Sequence, residues 1–286
     1  MINQENNYLS SFIKKIMLQA PYRNLTNYKK KFLKNKIFPH INFYNFIEET
    51  ICEEVNNEID KCVTSLNPYF VVNTKKYALN DKSKMGKKTI ELIDYLNSQE
   101  FIKNLESLTG IKNLIPDPKL EGGGIHVTKK NGYLKIHSDF ESHIINKTWK
   151  REINLLLYFN KNFKESYNAN LELYSENLKE KVEYSPSFNS AVIFNTNKKS
   201  LHGHPKFFSP KKNEIRKSIA LYYYTDAKKN LPLKETNFIP LSNENFFGKI
   251  AMKIDQYFLR IFSYLKRKKI INDKIITNLI KLIKRN

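Results

Sequence analysis

The sequence Tyr133-Leu-Lys-Ile-His-Ser-Asp139 has the residue alternation of a β-strand. Side chains of a strand point alternately to its two faces, so His137 and Asp139 point the same way. An imidazole and a carboxylate that lie side by side can bind one small cation. His-x-Asp alone is a weak signal, because most such pairs are incidental, and its weight depends on the residues that follow.

A further imidazole follows in the sequence Ser200-Leu-His-Gly-His-Pro205. Two histidines and one carboxylate on one face of a metal, with the other positions open, form the arrangement of non-haem Fe(II) oxygenases. His202 and His204 lie two residues apart on one strand face, and either could complete the set.

The hydrophobic pattern has the period of β-strands from Glu121 to Thr225. Turn signals such as Asn131-Gly132 separate short strands, whose number and regular spacing predict a jelly roll or small barrel. The runs 151–159 and 219–224 are almost continuously apolar, which is typical of strands covered on both faces. The predicted strands are 123–128, 133–139, 151–159, 169–175, 181–184, 190–195, 201–207 and 216–225.

The segments on either side of these strands have mainly helical periodicity. The helical predictions are 8–19, Asn42 to about Val63, two short helices between 90 and 108, and tail helices near 250–265 and 275–283. We expect a polar loop or irregular strand at 67–88. The fold class is therefore α+β, in three parts: a helical N-terminal region at 1–118 packed on the core, the β core at 119–228, and a basic helical tail at 229–286.

The chain is strongly basic, with a formal charge of +21. Such a charge suggests an anionic partner, but Asn, Ile and Lys are abundant throughout, so a compositional bias of the coding sequence is the alternative. The tail concentrates the charge, because residues 249–286 hold 11 Lys and Arg against 2 acidic residues. Its amphipathic helices either contact an anionic surface or pack on the parent domain.

The two cysteines, Cys52 and Cys62, have no partner pair with which to build a zinc site. Reduced thiols of an intracellular protein explain them. The N-terminus lacks the pattern of a secretory signal, and no stretch approaches the ~20 apolar residues of a spanning helix. We therefore expect a cytoplasmic protein without a transmembrane segment.

Several short motifs occur in one order over about residues 98–225. They are Gly122-Gly-Gly-Ile-His126, Gly132-Tyr-Leu-Lys-Ile-His-Ser-Asp-Phe140 with His143, Arg151-Glu-Ile-Asn-Leu-Leu-Leu-Tyr-Phe-Asn160, Asn170-Leu-Glu-Leu-Tyr174, Val192-Ile-Phe-Asn-Thr196, Ser200-Leu-His-Gly-His-Pro205 and Arg216-Lys-Ser-Ile-Ala-Leu-Tyr-Tyr-Tyr-Thr225. In this order the chain resembles the prolyl 4-hydroxylase-like branch of the 2-oxoglutarate- and Fe(II)-dependent dioxygenases.

The resemblance implies a double-stranded β-helix with iron at its mouth. By position, His137 and Asp139 match the first two iron ligands, and His202 matches the third because it precedes a glycine in Ser200-Leu-His-Gly. His204 then lies beside the ligands or towards the substrate. His126 and His143 are expected to be structural or near the mouth.

The resemblance also implies a pocket for the cosubstrate 2-oxoglutarate. Arg216 matches the residue that binds its far carboxylate, and a buried arginine without an anion would be costly. Ser218 can add a hydroxyl, Tyr158 matches a tyrosine that closes on the same carboxylate, and Asn154 lines the pocket. Core packing is the alternative for the last three.

The implied activity is hydroxylation of an aliphatic C–H bond with release of succinate and carbon dioxide. The expected cofactors are Fe(II), 2-oxoglutarate and dioxygen, with ascorbate as a reductant, and the expected substrate is a prolyl residue in a peptide or a related small molecule. A jelly roll that only binds a sugar or peptide, and a basic protein that binds nucleic acid or a membrane surface, are the alternatives. The diffuse charge disfavours nucleic acid.

Overall fold

The computed structural model describes residues 17–271. Within them, the helices are α1 (Lys29–Leu33), α2 (Glu49–Cys62), α3 (Lys87–Leu96), α4 (Gln99–Thr109) and α5 (Phe246–Arg267). The strands are β1 (His40–Tyr44), β2 (Asn67–Val71), β3 (Thr74–Leu79), β4 (Ile115–Pro116), β5 (Gly124–Thr128), β6 (Tyr133–Ser138), β7 (Trp149–Tyr158), β8 (Leu171–Tyr174), β9 (Lys181–Tyr184), β10 (Ser190–Asn195), β11 (Leu201–His204), β12 (Arg216–Asp226) and β13 (Asn237–Phe238).

The strands form one curled antiparallel sheet in the order β1-β10-β7-β12-β5-β3-β6-β11-β8-β9. β3 pairs with β5 through its second half and with β6 through its first two residues. It therefore joins a larger face, from β1 to β5, to a smaller face, from β6 to β9. This is the double-stranded β-helix that the sequence predicts, with helices added before and after it.

The larger face buries hydrophobic residues on its outer side and surrounds a cavity on its inner side. On β7, the odd-numbered residues Ile153, Leu155 and Leu157 belong to one core with Val55 of α2 and Leu105 of α4. The even-numbered residues Asn154, Leu156 and Tyr158 of the same strand line the cavity. Both faces are covered, as the continuous apolar run predicts.

The prediction of a helix from Asn42 was wrong at its beginning. Residues 40–44 form an edge strand paired with β10, and α2 begins only at Glu49. Asn45, with φ of 52°, has the left-handed backbone that ends the strand. Phe43 and Phe46 are both buried, so their spacing of three matched a helix although they lie on either side of this turn.

The prediction of a loop or irregular strand at 67–88 missed a regular hairpin of β2 and β3. The inner face of β3 carries Thr74, Lys76 and Ala78, which line the cavity. A strand whose inner face carries Thr74 and Lys76 shows no apolar alternation, so the strand signal was hidden.

The helix α5 lies across the mouth of the barrel. Asn73, at the tip of the hairpin, donates from its side chain to Asp255 at 2.6 Å, and Lys266 pairs with Glu121 at 2.6 Å. The helix predicted near 250–265 is confirmed. The prediction of a helix at 8–19 was wrong for residues 17–19, because Leu18 forms an antiparallel bridge with Ile47. Residues 8–16 and the helix predicted at 275–283 lie outside the described residues. No helix within residues 17–271 is long and apolar enough to cross a membrane.

We predict that Gly124→Ala destabilises the protein by about 2–4 kcal/mol. Gly124 has φ of 89°, and an added Cβ would collide with the carbonyl oxygen of Leu79. The free energy of unfolding in urea measures the loss. The control is Gly248→Ala in the first turn of α5, where the added Cβ meets side-chain atoms of Glu244 and Asn245 and no backbone. Equal stabilities of the two variants would contradict the prediction.

Candidate metal centre

The structure brings together three of the residues singled out by the sequence. His137 of β6 and His202 of β11 are directly opposed in the sheet, and Asp139 follows the end of β6. The three side chains offer ligand atoms that lie within 4.8 Å of one another. His202 Nε2 is 3.3 Å from Asp139 Oδ2, and His137 Nε2 is 3.6 Å from Asp139 Oδ1. One ion can therefore meet all three.

The backbone fixes the tautomers of both histidines. Nδ1 of His137 donates to the carbonyl of Lys135 at 2.8 Å, and Nδ1 of His202 donates to that of Ser200 at 3.0 Å. A carbonyl only accepts, so the proton lies on Nδ1 and leaves the Nε2 lone pair free. Burial lowers the pKa of His137, which favours the neutral, metal-binding form. The donor set thus fits a divalent metal with open positions.

Asp139 is held as an anion by two side chains of β7. Its Oδ2 accepts from Asn154 Nδ2 at 2.7 Å and lies 3.1 Å from Arg151 Nη2. Arg151 in turn donates from Nε to Asn154 Oδ1 at 2.8 Å. Burial alone would raise the pKa of Asp139, but Arg151 and the two histidines hold it well below its usual range. The carboxylate is therefore charged and oriented before a metal binds.

Arg151 is a residue of this site that the sequence analysis quoted only as part of a motif. Its side chain is 1% exposed, and its guanidinium lies between the rings of Tyr222, at 3.4 Å from the centroid, and Phe140, at 4.4 Å. The two rings fix the plane of the guanidinium. An arginine at the start of an apolar strand was the available signal, because such a residue needs a buried anion.

His204 is not part of the metal group. The pairing of β11 with β6 shifts between His202 and His204, and His204 lies opposite Leu134. Within residues 17–271, no other set of three histidine, cysteine or acidic side chains is close enough to hold a metal. His143 is structural, since its Nδ1 accepts from the backbone of Ile145 and Asn146.

Arg216, Tyr158 and Ser218 lie together on the inner face. Ser218 is directly opposed to Tyr158 in the sheet, and Arg216 Nη2 is 3.4 Å from the Tyr158 hydroxyl. Arg216 also donates from Nε to the carbonyl of Ala169 at 2.9 Å. Burial lowers the pKa of Arg216, and no carboxylate of the described residues forms an ion pair with it. The group can receive a carboxylate through charge-assisted hydrogen bonds.

One cavity of about 620 Å³ contains both groups. It runs from Arg216 past the histidines to the underside of α5, whose Leu259, Phe262 and Leu265 form its apolar roof. A second, more open groove of about 740 Å³ reaches Asp139 from outside, between α5 and residues 233–237. The metal group is thus reached from two sides.

The comparisons with known proteins agree with this architecture. Residues 123–224 match the model of the 2OG-Fe(II) oxygenase superfamily. Among solved structures, a prolyl hydroxylase from Trichoplax adhaerens, in complex with a hypoxia inducible factor peptide fragment, is 19% identical, with a TM-score of 0.52 over 73% of this chain and 92% of that one.

Two further solved structures are similar to this chain. A Pseudomonas putida prolyl-4-hydroxylase is 10% identical, with a TM-score of 0.51 over 70% of this chain and 98% of that one. A prolyl 4-hydroxylase from Phytophthora capsici is 15% identical, with a TM-score of 0.52 over 90% of this chain and 79% of that one. At these identities the structures support the fold alone. No curated protein matches the sequence.

We predict that Arg151→Met destabilises the metal-free protein by about 3 kcal/mol, because it leaves the buried carboxylate of Asp139 without its cation. Urea unfolding in EDTA measures this loss. Adding Asp139→Asn should restore part of the stability, and the exposed neighbour Lys150→Met should change it by less than ~0.5 kcal/mol. A double variant no more stable than Arg151→Met would argue against the ion pair as the cause.

Proposed function

We propose that this chain, which belongs to the 2OG-Fe(II) oxygenase superfamily through residues 123–224, hydroxylates an aliphatic C–H bond of a prolyl residue in a peptide or of a related small molecule. One observation carries the proposal: a metal-binding group shares one cavity with an arginine that has no carboxylate partner among residues 17–271. The first part suits the iron, and the second suits the far carboxylate of 2-oxoglutarate.

The oxygenase domain makes the chain a 2-oxoglutarate-dependent dioxygenase that uses Fe(II), 2-oxoglutarate and dioxygen. Bound Fe(II) supplies the oxygen chemistry, in which one oxygen atom of O₂ enters the substrate as hydroxyl and the other enters the succinate formed from 2-oxoglutarate as carbon dioxide leaves. The protein binds and orients these groups and excludes water from around them.

His137, Asp139 and His202 would hold the metal and leave the remaining positions for the cosubstrate and dioxygen. Their orientation is fixed beforehand, by the carbonyls of Lys135 and Ser200 on the histidines and by Arg151 on the carboxylate. Such fixed outer contacts raise metal affinity and reduce the reorganisation needed on binding.

Arg216 would bind the far carboxylate of 2-oxoglutarate, with the hydroxyls of Tyr158 and Ser218 beside it. The buried guanidinium would gain an anion that no described residue supplies, and charge-assisted bonds are about twice as strong as neutral ones. Asn154, predicted to line the pocket, would act on the metal side, since its side chain bridges Arg151 and Asp139.

A peptide could reach the metal through the open groove beside Asp139. The groove is lined by Tyr257, Arg260 and Tyr264 of α5 and by residues 233–237. The Trichoplax adhaerens neighbour was solved with a peptide, which supports the peptide class. The apolar roof of α5 would exclude water above the reacting bond.

We also propose the three-part division at 1–118, 119–228 and 229–286, and an anionic contact for the basic tail. α5 exposes an apolar row, with Phe246 at 71% and Phe247 at 79% exposed, followed by Ile254 and Phe258. Its last turn is basic. A helix with these two features can lie on an anionic membrane surface.

We predict that the metal-dependent release of succinate from 2-oxoglutarate falls at least ~100-fold in His202→Ala and His137→Ala. The reason is that each variant removes one of three ligands. His204→Ala is the matched control on the same strand and should keep a full equivalent of bound metal by elemental analysis. Loss of metal from His204→Ala with retention by His202→Ala would reverse the assignment of the third ligand.

We predict that the protein sediments with vesicles containing phosphatidylserine and not with neutral phosphatidylcholine vesicles. Phe246→Ser with Phe247→Ser should weaken this binding, since it removes apolar area from the exposed face. Val71→Ser with Val72→Ser, on the exposed hairpin tip, is the control. Equal binding of both vesicle types or of both variants would contradict the anionic surface contact.

A further inference from the structure

The cavity contains a second cation, Lys76, that has no carboxylate partner in the part of the chain that the structure describes. Tyr77 of β3 pairs with Val127 of β5, and Arg216 of β12 pairs with Thr128 of β5. By this register Lys76 lies beside Thr128 on the inner face, on the side away from Arg216. Its Nζ lies 3.5 Å from His126 Nδ1, and no carboxylate of the described residues forms an ion pair with it.

The surroundings of Lys76 disfavour a cation, chiefly because the side chain is buried. Burial lowers the pKa of Lys76 to about 8; Asp139 favours the charged form, while Arg216 and Arg151 disfavour it. A lysine placed among arginines inside a cavity costs free energy unless an anion joins it. Surface lysines of this chain carry no such cost.

His204 provides a second, independent observation at the same place. It is 4% exposed, it lines the cavity, and its Nδ1 has no hydrogen-bond partner among the described residues. Arg216 and Lys76 are the charged groups that act most strongly on it, followed by the rings of His137 and His126. A buried ring nitrogen without a partner is a place where a ligand atom fits.

We propose that Lys76 and His204, with His126 beside Lys76, form a second carboxylate-binding subsite in this cavity, distinct from the one at Arg216. One carboxylate is enough to occupy Arg216 together with Tyr158 and Ser218, which leaves these three for another. The inference rests on the proposed function and extends it. The carboxylate comes either from the metal side of 2-oxoglutarate or from a substrate that carries a free acid group.

Isothermal titration of Zn(II)-loaded protein separates these two sources. The probes are 2-oxoglutarate and then, at saturating 2-oxoglutarate, N-acetyl-L-proline and its amide. Lys76→Met should weaken the binding of one of these probes about tenfold or more, because it removes a charge-assisted hydrogen bond. Weaker binding of 2-oxoglutarate assigns the subsite to the cosubstrate. Unchanged binding of 2-oxoglutarate, with loss of the preference for N-acetyl-L-proline over its amide, assigns the subsite to the substrate.

The matched control is Lys75→Met, on the opposite face of the same strand, and it should bind both probes as the wild type does. Arg216→Gln is the reference for loss of the first carboxylate site. If Lys76→Met binds 2-oxoglutarate as tightly as Lys75→Met does and keeps the same acid-to-amide ratio, the second subsite is overturned. Wild-type protein that binds no 2-oxoglutarate would instead overturn the proposed function.

Two further readouts separate binding from a structural role. Ligand-free Lys76→Met should melt at or above the wild-type temperature, because it removes a cation that the fold does not neutralise; a structural lysine would give a lower one. Above about pH 8, wild-type affinity for the carboxylate should fall by up to about tenfold per unit as Lys76 loses its proton. Lys76→Arg should remove this fall, since arginine stays charged. A lower melting temperature, or the same pH profile in both proteins, would refute the subsite.

Discussion

Strands covered on both faces are the constraint on which this structure depends. Each central strand must bury apolar side chains under the helices and present polar ones to the cavity, and alternation does both at once. On β7, Leu155 and Leu157 pack outward, while Asn154 and Tyr158 face inward. A slip of one residue would exchange the two sets, so the core that stabilises the fold also fixes the register of the site.

The site places charges in this interior, and each charge needs an explanation. The charges of Arg151 and Asp139 compensate one another, with Asn154 between the two side chains and two aromatic rings around the guanidinium. Arg216 and Lys76 have no such partner among residues 17–271. Because uncompensated cations in a cavity reduce stability, their presence favours anions as the natural occupants. The pattern of compensation thus separates residues that support the site from residues that we propose to bind ligands.

Much of this could be predicted from the sequence where a pattern was periodic or a motif specific. The alternation of residues with period two predicted the eight core strands, which are confirmed. The ordered motifs around His137 and Arg216 predicted the family and the enzyme class, which are also confirmed. The edge strand at His40–Tyr44 could not be found, since Phe43 and Phe46 also fit a helix. Its pairing with β10, some 150 residues away, is a tertiary contact that local periodicity does not contain.

Lys76 shows why function was harder to predict than fold. In a chain with 49 Lys and Arg residues, composition hides the few cations that matter, and β3 carries lysines on both faces. Only the folded structure shows that Lys76 lines the cavity and Lys75 does not. Most of the basic residues suggest a property of the protein surface, but two of them, Lys76 and Arg216, lie inside the cavity. There the same charge selects ligands, because water no longer screens it.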